Sequence, residues 1–432
     1  GPPVLVNGSD ASDHPEVYLQ AGAMAVARGE GDWSLLDAAR LLLRAENAAP
    51  RPPSGGDLSR PEADGSGLRP LSELSILELS RLPGFSVRLG GRRIDAPPRA
   101  VERDPDRFPD PDRSFIDMQD YWRTWRAAHG RTSLNLASSR GCPYHCNWCA
   151  KPIWGQRYSL RSVPRVVAEI AEIASAPWAP DRLWFADDIF GLQPSWTEAF
   201  GRAMAEAGLS LPFQIQSRAD LMTEGAVKAL ALAGCTEVWL GAESGDQAIL
   251  DAMEKGITVS QIKEAAERLQ RTGIRVALFL QFGYPGEDWS ALMRTVALVR
   301  EVLPDAIGIS VSYPLPGTRF FARVQEELGD RRHWRDSRDL AMLYRGPYPS
   351  WVYRRVHRLL HRELDVRLAA RSIREPLDAL RSRRKLAELA RAWQRLQQAA
   401  TRAQGPSDAS TPADPGDATL PLRALAGRSA EA

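Results

Sequence analysis

The chain has 432 residues, enough for two or three domains and a sizeable buried core. Its 56 basic residues nearly balance 54 acidic ones, so no overall field points to nucleic acid or to a membrane surface. No apolar run is long enough to cross a bilayer, no charged-then-apolar leader opens the chain, and four cysteines do not make a disulfide framework, so a soluble cytoplasmic protein is expected.

Residue 1 is glycine, as in a trimmed or processed chain. Residues 1–45 read as the end of an α/β unit. Pro3–Val6 predicts a short strand, Asn7–Asp10 a polar loop, Pro15–Ala21 a helix closed by Gly22, and Ala23–Ala27 a second strand. Gly29-Glu30-Gly31 then leads into a helix with Leu35, Leu36, Ala39 and Leu42 at helical spacing. Two strands and two helices cannot cover both faces of a doubly wound sheet, so this is a half-Rossmann remnant. The Pro, Gly, Ser, Asp and Arg that dominate from Ala48 to Pro70 predict a linker over 46–70.

Residues 71–130 form a connecting region. It contains a hairpin from Phe85 to Asp95 around Gly90-Gly91, a proline-rich wrap from Ala96 to Arg113, and a short helix whose Trp122 and Trp125 serve packing. Residues 131–329 then repeat strand, loop and amphipathic helix. Strands are predicted at Ser133–Ala137, Leu183–Ala186, Phe213–Gln216, Glu237–Leu240, Val276–Phe282 and Ile307–Tyr313. Ser195 and Glu198 have capping-box spacing before a helix closed by Gly208, and Glu287 stands where it would cap the helix carrying Trp289. The alternation implies parallel strands with right-handed crossovers, an α/β partial open (β/α)6 TIM-like barrel. Residues 330–404 read as a helical, arginine-rich C-terminal extension in which Tyr353, His357 and His361 share a face, with packing across the barrel mouth as their expected role. Residues 405–432 read as a disordered tail.

One stretch stands apart. Cys142, Cys146 and Cys149 are spaced Cys-x-x-x-Cys-x-x-Cys, with Trp148 just before the third and Gly141 and Pro143 bending the backbone. Three thiolates in eight positions suit one soft metal centre, either zinc or an iron-sulfur cluster. Zinc would need a fourth protein ligand, for which His145 and Cys235 are the candidates. A cluster could keep one iron open for another molecule.

In these residues the chain resembles the radical S-adenosylmethionine (SAM) enzymes. The resemblance implies that Cys142, Cys146 and Cys149 hold a 4Fe-4S cluster and that SAM chelates the fourth iron through its amino and carboxylate groups. It also implies the same barrel, with chemistry at the carboxyl ends of the strands. A SAM site needs an acidic acceptor, donors for the carboxylate and a bare backbone edge beside the adenine. Glu243 and Ser244, in Gly-Ala-Glu-Ser-Gly, resemble the element that meets the ribose and amino group. Gln216 and Arg218 are donors for the carboxylate or ribose. Gly283 and Tyr284 resemble the fifth-strand element whose backbone reads the adenine, and Asp187 and Asp188 stand where relatives carry a polar motif.

The first 45 residues are similar to the final portion of the cobalamin-binding domain that precedes the radical module in one group of these enzymes, here apparently truncated. Cobalamin is implied by that kinship alone: the fingerprint Asp-x-His-x-x-Gly is absent, since His14 follows Asp13 directly. The activity implied is reductive cleavage of SAM to a 5'-deoxyadenosyl radical for hydrogen abstraction, with methyl transfer or cyclisation on a small molecule. The reductant implied is a one-electron donor such as flavodoxin or ferredoxin. No nucleic acid partner and no membrane span are expected. The competing expectation is a non-catalytic protein, stabilised by zinc or a cluster, that binds a partner through its arginine-rich C-terminus.

Overall fold

The computed structural model of the chain describes residues 3–48, 73–151, 153–329, 331, 340–371 and 376–403. The predicted linker from residue 49 onward and the predicted tail lie outside the described residues. The chain divides into two compact units, one of residues 1–103 with 150–157, the other of residues 104–149 with 158–432.

The first unit runs β1 (Leu5–Asn7), α1 (Ser9–Asp13), α2 (Pro15–Gln20), β2 (Ala25–Ala27), α3 (Asp32–Ala48), α4 (Glu73–Leu79), β3 (Phe85–Leu89) and β4 (Arg92–Asp95). The loop predicted at Asn7–Asp10 is largely the start of α1. The two apolar strands do not stand as half a sheet. β1 and β2 are parallel, and β2 then pairs antiparallel with β3, Ala25 opposite Val87 and Ala27 opposite Phe85, giving the order β1-β2-β3-β4. The hairpin expected at Phe85–Asp95 therefore belongs to this unit's sheet, turning through Gly90 and Gly91 with φ of 56° and 80°, left-handed at both central residues as a tight two-residue hairpin requires. Ala25, Ala27, Ala38, Leu79, Phe85 and Val87 are its core.

The Gly-Glu-Gly turn is held from two sides. Asn7 Nδ2 donates to the Ala27 and Gly29 carbonyls at 2.7 and 3.0 Å. The Glu30 carboxylate accepts from Trp154 Nε1 at 3.2 Å and from the Glu102 backbone N–H at 2.8 Å.

The second unit contains α5 (Met118–His129), β5 (Ser133–Leu136), β6 (Ser139–Arg140), β7 (Ser159–Leu160), α6 (Val163–Ser175), β8 (Arg182–Phe185), α7 (Pro194–Glu206), β9 (Phe213–Ser217), α8 (Glu224–Leu232), β10 (Cys235–Glu243), α9 (Gln247–Ala252), α10 (Val259–Arg271), β11 (Arg275–Phe282), α11 (Trp289–Val302), β12 (Ala306–Val311), α12 (Arg319–Val324), α13 (Ser350–Arg371) and α14 (Pro376–Arg402). Six strands form one parallel sheet in the order β12-β11-β10-β9-β8-β5, so β5 and β12 are edges and the barrel is open, as predicted. Side-chain alternation sends Val238, Leu240, Ala242, Val276, Leu278, Leu280 and Phe282 outward into the helices, where all are buried. Trp239, Gly241, Glu243, Phe279 and Gln281 share the opposite, concave face. Small residues leave room there: a Cβ on Gly308 would come within 3.1 Å of Phe279 and 3.2 Å of Trp239.

Two capping expectations are corrected. Pro194 occupies the first helical turn of α7, Gln193 is its N-cap without a side-chain bond, and Ser195 caps nothing. A capping box does form at Thr258 and Gln261, opening α10. α11 is capped by Asp288, which accepts from the Ala291 N–H at 2.7 Å, and not by Glu287. The extension joins the barrel through Glu363 on α13. Its carboxylate takes a bidentate pair from Arg300 of α11 (2.7 and 3.0 Å), a bond from Arg367 (2.9 Å) and one from Trp393 Nε1 of α14 (2.8 Å). The paired rings of His357 and His361 lie 4.4 Å apart, and Tyr353 is buried. No helix among the described residues is long and apolar enough to cross a membrane.

Candidate functional site

The cysteine loop leaves the sheet just after β5. Gly141 turns the chain at φ 80°, and the short antiparallel pair β6–β7 closes the loop's base, Ser139 opposite Leu160 and Arg140 opposite Ser159. Cys142, Cys146 and Cys149 are all half-buried.

Asn147 ties the loop to the other strand ends. Its backbone N–H donates to Met253 O (3.1 Å), its Nδ2 to Ala252 O (2.8 Å), its Oδ1 accepts from Tyr284 Oη (2.9 Å), and its carbonyl accepts from the Phe320 N–H (3.0 Å). Arg319 donates to the His145 carbonyl at 3.1 Å and pairs with Glu254. The chain segments that follow β10, β11 and β12 thus all grip the same three-cysteine loop.

Glu243, at the end of β10, adopts φ 59°, uncommon for a residue with a side chain, where the register with β11 shifts between Gly241 and Glu243. Its Oε1 accepts from Lys255 Nζ at 2.7 Å, and each of the two side chains is 8% exposed. The loop's aromatic residues meet two cations: Tyr144 lies under the Arg218 guanidinium at 3.7 Å, and Trp148 is 5.9 Å from Lys255 Nζ.

Several residues expected to meet SAM are engaged within the chain itself. Asp187 is fully buried. Its carboxylate accepts from the Ser138 and Ser139 N–H groups at 2.8 and 2.7 Å and from Ser138 Oγ at 2.6 Å, so it braces the approach to Cys142. Burial pushes its carboxyl up to about 6 against the downward pull of those bonds. Ser244 is also fully buried, its hydroxyl 3.2 Å from Thr295 Oγ1 and accepting from the Asp246 N–H.

Arg218 donates through Nε and Nη2 to Asp220, and through Nη1 and Nη2 to the Lys255 and Gly256 carbonyls. At Gly283 the backbone edge expected to be bare is occupied. Its N–H donates to Glu287 at 2.7 Å and its carbonyl accepts from Tyr344 Oη. The Tyr284 side chain is buried against the cysteine loop. Gln216 Nε2 donates to Asp187 O at 2.6 Å, and Asp188 is exposed beyond β8.

Sequence reasoning missed Lys255 and Asn147. Lys255 follows the end of α9 and precedes Gly256, whose φ is 68°. Only its 12-residue separation from Glu243 linked the two.

Cys235 lies at the opening of β10, roughly 26 Å along an extended strand from Glu243, with its thiol directed to the Glu237 carbonyl and pushed up to about 12 by burial. Among the described residues no three His, Cys, Asp or Glu side chains converge on a single ion. The spacing of Cys142, Cys146 and Cys149 fits a cluster, in which each thiolate binds a different iron.

The comparisons agree. The chain is 27% identical over 245 residues to an uncharacterized methyltransferase of Pyrococcus horikoshii, covering 56% of this chain and 52% of that protein. It is 26% identical over 221 residues to the hopanoid C-3 methylase of Methylococcus capsulatus, covering 50% and 41%. It is 27% identical over 195 residues to the anaerobic magnesium-protoporphyrin IX monomethyl ester cyclase of Rubrivivax gelatinosus, covering 45% and 34%. The chain thus spans about half the length of the curated relatives it matches, or less.

Among solved structures it resembles the radical SAM methyltransferase TsrM of Kitasatospora setae, solved with cobalamin and a [4Fe-4S] cluster, at a TM-score of 0.58 and 18% identity, covering 77% of this chain and 59% of that one. It also resembles the cobalamin-dependent radical SAM enzyme OxsB, at a TM-score of 0.60 and 16% identity, covering 89% and 57%. Those likenesses show the fold. Residues 136–299 match the model of the radical SAM superfamily, and over that stretch the chain carries a domain of this family.

Proposed function

We propose that the chain binds a 4Fe-4S cluster on Cys142, Cys146 and Cys149 and cleaves SAM reductively to start radical chemistry on a small molecule. What supports this most is the gripping of the three-cysteine loop by the segments after β10, β11 and β12, at the edge where Glu243 stands. When bound, the cluster supplies one electron that breaks the SAM carbon-sulfur bond to give methionine and a 5'-deoxyadenosyl radical.

The chain's own residues do the rest. The half-buried thiols ligate and limit solvent access, and Asp187, through Ser138 and Ser139, holds the loop's entry. Glu243 offers a carboxylate to the SAM amino group, and Gln216 and Asp188 border the same concave face. The reductant is a small one-electron carrier such as flavodoxin or ferredoxin, and the setting is the cytoplasm.

Methyl transfer to carbon is the outcome favoured by the methyltransferase names among the relatives, with ring formation second. Cobalamin is assigned no residue. The described part of the first unit lacks the fingerprint, and His14 is the boundary between α1 and α2, its N–H bonded to Asp10 O at 2.8 Å.

The test is anaerobic reconstitution with iron and sulfide, then reduction with SAM present. About four irons per chain, a brown chromophore and release of 5'-deoxyadenosine are expected, with all three lost in Cys146→Ala. Stoichiometric zinc with no 5'-deoxyadenosine would end the proposal.

A further inference from the structure

The closing helix α14 has two faces that differ in kind. Leu389, Trp393, Leu396 and Ala400, at helical spacing, are buried and form its inner seam. On the opposite side Leu377, Leu380, Arg384, Ala387, Arg391 and Arg395 follow one another by three or four residues, and all are exposed. Leu377 and Leu380 are 70% and 64% exposed, two large apolar side chains in solvent at one end of a row of arginines. Arg381, Arg383 and Lys385 flank the row and are exposed too. From 377 to 395 there are six basic residues and two acidic ones, whereas the whole chain carries a net charge of only +2. Each acid meets one arginine, Asp378 with Arg381 at 2.9 Å and Glu388 with Arg384 at 3.4 Å, in exposed positions where such pairs are weak.

The row runs for roughly 27 Å along the helix. Arginines beside exposed leucines call for a counterpart that is both anionic and apolar. Nucleic acid supplies only the charge, and the row offers no ring for a base to stack on, since the tryptophan of α14 lies in the buried seam. A lipid surface supplies both, with phosphates for guanidinium groups and acyl chains just beneath for leucine. We infer that the outer face of α14 docks the protein on an anionic lipid bilayer, the helix lying parallel to the surface. Leu377 and Leu380 enter the boundary between headgroups and acyl chains, while Arg384, Arg391 and Arg395 meet lipid phosphates on their long stems. The inner seam keeps its packing, so docking requires no unfolding of the helix. This is peripheral attachment and needs no helix able to span a bilayer. It does not depend on the function proposed above.

The experiment is flotation of the whole chain with vesicles of phosphatidylcholine alone and of phosphatidylcholine with phosphatidylglycerol in equal parts. Binding to the anionic vesicles is expected, about tenfold tighter than to the neutral ones or more, and weakened by added salt. Arg384→Gln/Arg391→Gln/Arg395→Gln should weaken it by about a hundredfold. Leu377→Ser/Leu380→Ser, which keeps the charge, should weaken it by about tenfold or more. Glu388→Gln removes the acid beside Arg384 and should tighten binding by about fivefold. All these side chains are exposed, so the thermal midpoint should be the same in every variant.

The control is Arg123→Gln/Arg202→Gln/Lys228→Gln, which removes three exposed basic groups from α5, α7 and α8 and should leave binding within about twofold. No binding to the anionic vesicles, equal binding to both kinds, or an equal loss in the control overturns the inference. So does a leucine pair without effect, the result expected if an acidic protein or a nucleic acid held by charge alone were the partner.

Discussion

At Glu287, burial and charge push the same way. The side chain is 1% exposed, Oε2 accepts from the Gly283 N–H, and Oε1 has no partner among the described residues. Burial first, then the nearby Asp246 and Asp288, push its carboxyl from 4.5 up to about 8. The folded chain therefore keeps a proton that the unfolded chain loses above 4.5. Stability falls as pH rises through this window, and the penalty is complete above about 8. Each pH unit within it costs about 1.4 kcal/mol. Urea midpoints at pH 5 and 8.5 check this: Glu287→Gln, which keeps an acceptor for Gly283, should be the more stable protein at pH 8.5 and lose little between the two. An equal decline in the variant would assign the titration to another group.

The same residue shows where sequence stops informing. A glutamate two positions before a helix looks like a cap, but Asp288 takes that place, and Glu287 interacts electrostatically with Tyr344 and Tyr353, more than fifty residues away. The three cysteines and Glu243 were legible because their spacing and strand-end position are local. The bracing roles of Asp187 and Ser244 were not, because their partners Ser138 and Thr295 lie about 50 residues off.

Among elements, the helices of the barrel were legible by periodicity and their starts less so. Ser195 and Thr258 both stand three residues before a Glu or Gln, and only Thr258 caps. Pro194 decides the difference, since its fixed φ seats it inside the first turn and moves the boundary to Gln193. Thr258→Ala should therefore cost about 1 kcal/mol in chemical denaturation while Ser195→Ala changes stability by less than about 0.5 kcal/mol. Comparable losses in both would contradict the assigned boundary.

The cysteine loop makes a second element-scale prediction. Asn147→Ala removes the Nδ2 and Oδ1 bonds to Ala252 and Tyr284. Iron retention under a chelator should fall several-fold while far-ultraviolet circular dichroism is unchanged. Unaltered retention would deny Asn147 its anchoring role.

Across the whole molecule, the parallel order of six strands followed from alternation alone, because each strand pairs with its sequence neighbour. The first unit did not follow, because its sheet is completed by the hairpin β3–β4, far along the chain from β2, with β3 antiparallel to β2. At this scale Glu363 is the tie between α11, α13 and α14. Hydrogen bonds from Arg300 and Arg367 hold its carboxyl below the usual range against burial, so its contribution is present above about 4.5 and lost as pH falls. Glu363→Ala should cost about 2 kcal/mol, less than a fully buried pair because Arg300 and Arg367 remain about a third exposed. Limited proteolysis should then cut first between α13 and α14; cutting elsewhere would place the weak point in another part of the chain.

The first unit is also discontinuous: residues 150–157 belong to it, and Trp154 among them bonds to Glu30. A growing polypeptide emerging from the ribosome can shape β1 through β4 early, yet it cannot finish that body until the cysteines have already been made. Completion of the amino-terminal fold and the appearance of the metal-binding thiols are thereby locked into one interval of synthesis.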